Sequence, residues 1–327
     1  MIEPEIITGF RKRKVLVTGG TGLIGRQVVE ILESAGARVT IVSLDDVVVH
    51  DEAEHIRGDL TDFAFCREVI RGMDDVFHIA GIGASVSAAK SKIASHFVPT
   101  LMMNTNVLEA CRLNGVDRVV YTSSVGAYAL SDVFRESEYR IDSAPMDFAG
   151  WAKRMAEAQV HAYNVQYGLT NFATVRPSNV YGPGDNFDPT NALVIPSLMY
   201  RIFHGENPLV IWGDGSAVRD FVYSRDCAEG IIQALVYGTG GGFVNLGSGV
   251  PHSIKELVEI MKSFIDFNYR FDTEKPTGAP KRIMDISLAR KMIHYDPVTS
   301  LRDGLMKTWE WFVQNSGEYR KKVNYFR

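Results

Sequence analysis

Lys14-Val15-Leu16-Val17-Thr18 runs directly into Gly19-Gly20-Thr21-Gly22-Leu23-Ile24-Gly25, and no other stretch of the chain narrows its possible folds so far. The apolar run reads as a buried strand. Past the turn, Ile24, Val28, Ile31, Leu32 and Ala35 recur at helical spacing, and Gly36 suits the end of that helix. A glycine turn between a strand and a helix is the setting a phosphate-binding loop requires. Glycines let the chain turn sharply and let backbone approach the phosphate, while the helix N-terminus offers unpaired N–H donors. With a strand before it and a helix after it, a mere flexible glycine loop is a poor competitor.

The alternation continues downstream. Arg38-Val39-Thr40-Ile41-Val42 predicts a second strand, a short third precedes Gly58-Asp59-Leu60, and Asp75-Val76-Phe77-His78-Ile79-Ala80-Gly81 predicts a fourth with a small-residue exit. Helices are predicted over 102–113 and 151–167. Further strands fall at Asp117-Arg118-Val119-Val120-Tyr121-Thr122 and near Asn171-Phe172-Ala173-Thr174-Val175. This order implies an α/β fold, a doubly wound parallel sheet covered by helices on both faces. After Arg176 the rhythm breaks at Pro177, Pro183, Pro189 and Pro196, and Pro251, Pro276 and Pro280 mark later connections. The expected division is a dinucleotide-binding domain over 1–177, to which part of 221–247 returns. A smaller, partly interleaved C-terminal substrate domain takes 178–220 and 248–327.

Bulk properties exclude several roles. The 327 residues carry a net charge of -4, so sequence-independent binding to nucleic acid is not expected. No run approaches the roughly 20 apolar residues of a membrane span, and Met1-Ile2-Glu3-Pro4-Glu5 lacks the start of a signal peptide. Arg11-Lys12-Arg13-Lys14 reads as a solvated lead-in to the first strand. Cys66, Cys111 and Cys227 are odd in number and widely spaced, which suits buried thiols in a cytoplasmic protein. The histidines are scattered, and no metal site is expected.

Two further regions carry chemistry. Tyr121-Thr122-Ser123-Ser124 ends the fifth strand, where open α/β sheets place ligands, and Lys153 follows Ala149 by four residues. Later come Arg176-Pro177-Ser178-Asn179-Val180-Tyr181-Gly182-Pro183-Gly184-Asp185-Asn186-Phe187-Asp188-Pro189, then Val194-Ile195-Pro196, Trp212-Gly213-Asp214-Gly215, Arg219-Asp220-Phe221 and the stretch 275–282. Together with the glycine turn, these resemble the extended short-chain dehydrogenases of the NAD-dependent epimerase/dehydratase family, in its GDP-fucose synthase-like branch, across nearly the whole chain. The resemblance implies a Rossmann fold, a nucleotide-sugar substrate and a homodimer. In that family a tyrosine in Tyr-x-x-x-Lys moves a proton while the cofactor takes a hydride. Here Ala149 holds the tyrosine's place.

What the resemblance implies can be set out residue by residue. The cofactor would meet Gly19, Gly22, Leu23, Ile24 and Gly25 in the turn, Ser43 in the ribose slot, Asp59 and Leu60 beside the adenine, and Ala80, Gly81, Thr122, Lys153 and Pro177 further on. Asp45 and Asp46 follow Ser43 with no lysine or arginine near in sequence to hold a ribose phosphate, which favours NAD over NADP, with Asp45 a further ribose contact. Ser124 would hydrogen-bond the reacting sugar oxygen beside Lys153. Asn179, Val194, Arg201, Trp212, Arg219 and Arg282 would hold the nucleotide sugar, arginine being suited to bidentate contact with a diphosphate. Taken singly, each is as readily a surface cation or a core tryptophan.

Departures from the branch narrow the chemistry. Its epimerisation acid and base fall at Val125 and Leu193 here, and Thr122-Ser123-Ser124 lacks the acid that dehydratases use. Hydride transfer alone survives, most simply oxidation at C4 of a GDP-linked heptose or hexose in surface-polysaccharide synthesis. C4 epimerisation, reduction, or a binding protein that has lost its chemistry remain as alternatives. Substitutes for the missing tyrosine are Lys153 through a water, Ser124, Tyr128 and Tyr181. The helices at 102–113 and 151–167 resemble the family's dimer-forming pair, with Met155, Val160 and Tyr163 as expected contacts.

Overall fold

The computed structural model describes residues 2–83, 91–275 and 277–323; Pro276, read above as marking a connection, lies outside them. Strands β1 (Lys14–Thr18), β2 (Arg38–Ser43), β3 (Glu54–Arg57), β4 (Asp75–His78) and β5 (Arg118–Thr122) follow the predicted order. They are followed by β6 (Val133–Phe134), β7 (Phe172–Pro177), β8 (Asn179–Tyr181), β9 (Leu209–Trp212), β10 (Val218–Tyr223) and β11 (Val244–Leu246). Seven of these form one parallel sheet in the order β11-β7-β5-β4-β1-β2-β3. The order reverses between β4 and β1, and the crevice at the C-terminal ends there is where such sheets bind ligands.

Side chains alternate across this sheet, so both faces need cover. Val15 and Val17 face one core with Val28, Ile31 and Leu32 of helix α2 (Gly25–Ser34); α1 (Pro4–Thr8) precedes it. Leu16 faces the other core with Cys66 of α3 (Phe63–Val69), Val107 and Leu108 of α4 (Ile93–Asn114) and Val160 of α5 (Phe148–Tyr167). Burial on both faces is why the strands read as unbroken apolar runs. Helix α4 begins well before the predicted 102–113, because Pro99 inside it hid the opening turns. Helix α5 starts at Phe148, where the Asp147 carboxylate accepts 2.8 Å from the Gly150 N–H.

In the basic run before β1, Arg11, Lys12 and Lys14 are exposed as expected, and Arg13 is the exception. Arg13 donates to the fully buried Asp75 at 2.6 Å and to Asp117 at 2.9 Å, and Arg118 meets Asp75 from the other side at 2.7 Å. A carboxylate shut away from water needs such partners, so Arg13 belongs to the base of the sheet.

After β8 the chain passes through α6 (Val194–Phe203) and α7 (Ser224–Tyr237), then β12 (Pro251–Ser253), α8 (Ile254–Lys262), β13 (Tyr269–Asp272), β14 (Lys281–Met284), α9 (Ser287–Ile293) and α10 (Leu301–Gln314). A second sheet runs β12-β10-β14-β6 with β8 also on β10, and β13 pairs β9. Leu198, Phe221, Leu257, Leu305 and Phe312 build a third core beneath it. Helix α7 instead packs Ile231, Ile232 and Leu235 under the main sheet, ahead of β11.

Candidate functional site

A cavity of about 440 Å³ opens at the reversal of strand order. Its floor is the glycine turn, and two glycines there are sterically required. Gly19 has φ +71 with Ala80 pressed against it, and a Cβ on Gly25 would stand 2.2 Å from the Gly19 carbonyl oxygen. Helix α2 has no side-chain cap; its Arg26 and Gln27 N–H groups donate to the Gly22 and Ile24 carbonyls at 3.1 Å, so an anion would meet the turn through the N–H groups ahead of them. Gly22, Leu23, Ile24, Ser43, Asp45, Asp59, Leu60, Ala80 and Gly81 all line the cavity. The Asp45 carboxylate accepts from Thr21 Oγ1 at 2.9 Å and from the Val323 N–H at 2.6 Å, while Ser43 donates to the Asp45 carbonyl. Cations do lie near in space, against the reading from sequence neighbours. Arg57 pairs with Asp46 at 2.7 Å, and Lys322 lines the cavity.

The expected reaction centre adjoins that cavity at Gly81, where a Cβ would lie 3.4 Å from Lys153 Nζ. Lys153 donates 2.8 Å to the Thr122 carbonyl, and burial, opposed by Glu157, draws its ammonium down to about 8. Behind it runs a chain of buried polar groups. Thr18 Oγ1 meets His78 Nδ1 at 2.8 Å, His78 Nε2 meets Asn104 Oδ1 at 3.0 Å, and Asn104 donates 3.0 Å to the Tyr121 hydroxyl. That hydroxyl donates to the backbone carbonyl of Lys153, so the lysine is held from its own main chain. Burial pushes His78 down to about 3, which keeps it neutral. Ser124 Oγ accepts 3.1 Å from the Gly126 N–H, and Ala149 lies one helical turn before Lys153, half-buried.

Two of the predicted substitutes for the tyrosine are core residues. Tyr128 donates 2.9 Å to Asn245 Oδ1 and lies under the Arg176 guanidinium, and burial pushes its phenol up. Tyr181 donates to the Leu301 carbonyl and is likewise raised by burial. Sequence reasoning missed another group near the centre. His96, in the first turn of α4, meets the Ile82 carbonyl at 2.6 Å, and the charges of Asp147 and Lys153 reach it. A lone histidine ahead of the helix predicted over 102–113 gave no signal of that placement.

The second sheet brings two arginines together. Arg219 on β10 stands opposite Arg282 on β14 in register. Burial first, and then the neighbouring Arg282 charge, lower the Arg219 guanidinium. Arg282 Nε is buried with no protein partner among the described residues. Like charges held this close are shaped for an anion. A Cβ on Gly278 would sit 3.1 Å from Arg219 Nη2, and one on Gly213 would strike Thr277, so the 277–280 loop links Trp212 to the arginine pair. Trp212 is 61% exposed. Asn179 Nδ2 donates 2.9 Å to the Asp220 carbonyl, and Val194 opens α6, an N-terminus without a side-chain cap. Arg201 is committed elsewhere: it donates 2.6 Å to Glu206 Oε2 and 2.6 Å to the Val210 carbonyl, which ties α6 to β9 instead of facing a ligand.

Comparison with known proteins decides the family. The NAD dependent epimerase/dehydratase family model matches residues 15–247. The chain belongs to the NAD-dependent epimerase/dehydratase family. It is 30% identical to the probable GDP-L-fucose synthase 1 of Oryza sativa subsp. japonica, which covers 92% of each chain. It is also 30% identical to a dTDP-4-dehydro-6-deoxy-D-allose reductase of Streptomyces sp, over 92% of this chain and 96% of that one. Among solved structures, an epimerase of Methanothermobacter thermautotrophicus superimposes with a TM-score of 0.87 at 27% identity, covering 97% of each chain. The protein is therefore an NAD-dependent nucleotide-sugar enzyme. The residues present fit that cofactor: the uncapped helix, the close approach at Gly25, and a buried Thr122 hydroxyl with no protein partner among the described residues.

Proposed function

We propose that this member of the family transfers a hydride at C4 of a GDP-linked sugar, as an NAD-dependent oxidoreductase in the synthesis of surface-polysaccharide sugars. The carrying observation is the loss of the family's own acid–base groups, although His96 lies within charge range of Lys153. Ala149, Val125 and Leu193 hold the places of three family acid–base groups, and Thr122-Ser123-Ser124 brings no carboxyl. Dehydration and 3,5-epimerisation both need such groups. A nicotinamide in the cavity supplies the hydride acceptor or donor. Ser124 hydrogen-bonds the sugar oxygen, and Lys153, already lowered by burial, takes up its proton directly or through a water. Arg219 and Arg282 hold the diphosphate, and Trp212 offers an aromatic face to the base.

The C4 epimerase and reductase readings use the same groups. The relatives' names support keeping them, since one is a reductase and one an epimerase. Ala149 itself favours a second class, a nucleotide-sugar-binding protein with impaired catalysis. Incubation with NAD and a panel of GDP-sugars, followed by chromatographic separation of isomers and mass spectrometry of the sugar product, separates oxidation from epimerisation and from binding alone. A keto sugar supports C4 oxidation, an isomer of unchanged mass supports epimerisation, and no product on any GDP-sugar overturns the proposal.

A homodimer in the cytoplasm belongs to the same reading. Val98, Met102, Trp151 and Met155 expose apolar surface on α4 and α5. The other two expected contacts are corrected: Val160 and Tyr163 are 3% and 8% exposed, packed within the chain, and Tyr163 donates to Glu109. All three thiols are free and buried. Among the described residues no helix is long and apolar enough to cross a membrane.

A further inference from the structure

The cofactor cavity has a wall that the glycine turn does not supply. Beyond α10 the chain turns through a 3₁₀ segment, Glu318–Lys321, and residues 318–323 pass from the Gly184 loop to the end of β2. Three contacts fix that path. Glu318 accepts 2.5 Å from Arg26 Nη2, which also donates to the Thr21 carbonyl inside the glycine turn. Lys322 Nζ donates 2.7 Å to the Gly184 carbonyl. The Val323 N–H donates to Asp45, as described above. Tyr319, Lys322 and Val323 line the same cavity as Gly22 and Leu60.

Burying an ammonium beside a cavity is costly unless an anion completes its surroundings. Asp45, Asp185 and Glu318 lie within charge range of Lys322, with Arg26 opposing them. The Oδ2 atom of Asp185 is buried with no protein partner among the described residues, although Asp185 lines the cavity. Burial draws Lys322 down to about 8, which leaves it charged at neutral pH, and pushes Asp185 up to about 7, so the cation stands beside a carboxyl that is only partly ionised. The diphosphate of a dinucleotide on the glycine turn is the anion nearest to hand.

We propose that residues 318–323 form a strap over the cofactor, in which Lys322 binds the cofactor's anionic diphosphate and the Val323–Asp45 hydrogen bond slows cofactor exchange. The strap reaches both the phosphate-binding turn, through Arg26, and the ribose side, through Asp45. Dinucleotide can leave only when these contacts open. The inference rests on NAD as occupant of the cavity and not on which sugar is turned over.

The test measures NAD affinity by calorimetry, and NADH release by fluorescence after mixing with excess NAD, on the full chain. Lys322→Gln should weaken NAD about tenfold, the loss of one charged contact, and release NADH correspondingly faster. Lys322→Arg should keep most of both. Val323→Pro, which removes the N–H donor, should speed release, and GDP affinity should stay at the parent value in all three. Parent-like NAD affinity and release in Lys322→Gln overturns the strap, as does an equal loss of GDP affinity, which reports a damaged fold. A parent that binds no NAD overturns both strap and cofactor. A parent that binds NAD yet turns over no GDP-sugar counts against the proposed reaction alone.

Discussion

Replacing Arg219 by alanine moves ligand affinity and fold stability in different directions, which makes it the most decisive single change. In the ligand-free protein Arg219 is half-buried, donates to its neighbour's carbonyl at Val218, and faces Arg282 across the β10–β14 register. Burial and a like charge both disfavour the guanidinium there. Its removal should leave the ligand-free melting temperature unchanged or slightly higher. With nucleotide bound as proposed, the same group would be one of two cations on a diphosphate. A charged hydrogen bond of this kind contributes about 1.5–3 kcal/mol, so at roughly 1.4 kcal/mol per decade GDP should bind about 10- to 150-fold more weakly. The assay is titration calorimetry of GDP at saturating NAD, with melting curves taken with and without GDP. Parent-like GDP affinity would refute the diphosphate assignment. A marked fall in ligand-free stability would refute the electrostatic reasoning, since it would mean that Arg219 supports the fold.

Four other outcomes are expected. Ala149→Tyr should raise turnover by up to about 10²–10⁴-fold with little change in GDP affinity, and Lys153→Met should abolish turnover in both backgrounds; full activity in Lys153→Met removes that residue from the reaction. In the parent, Lys153 must be neutral to accept a proton, so C4 oxidation should speed up as pH rises through about 8, and a flat profile there counts against it as base. Gly25→Ala places a Cβ 2.2 Å from the Gly19 carbonyl and should cost on the order of 1–3 kcal/mol in urea unfolding together with NAD affinity; a parent-like variant would show that the turn relaxes freely. Met155→Glu should shift light-scattering mass from two chains towards one, whereas a parent that already scatters as one chain at micromolar concentration rules out the dimer.

The first half of the fold was legible because its strands are buried on both faces. Val15 to Val17, or Val119 to Tyr121, read as apolar runs in whatever surroundings they meet. The second sheet was not, because strands such as Val133–Phe134 and Asn179–Tyr181 are two or three residues long and show no period. At the site, the glycine turn was readable from steric demand alone. Arg201 was misread because its partner, Glu206, lies just past the helix end, a pairing that only the folded turn at 204–206 creates. Tyr128 and Tyr181 were misread because a tyrosine's sequence neighbours do not report that its hydroxyl is shut inside a core. Val323 lies 278 residues from Asp45, and nothing local hints that the two meet.

Strands β7 and β11 are hydrogen-bonded neighbours, Val175 beside Val244, so the chain leaves the main sheet at one strand and comes back at the next. Asn179, Trp212 and Arg219 all lie on that excursion. Both of its ends are anchored, and lengthening such an excursion twofold costs only about 0.6 kcal/mol of closure entropy. Helix α7 must stay, since it covers the sheet, and so must Leu198, Phe221 and Tyr223 of the third core, but the loops between them within 178–223 can vary in length with little penalty to the frame. In evolutionary terms this stretch is a replaceable cassette, through which a lineage can sample new sugars while inheriting its redox half unchanged.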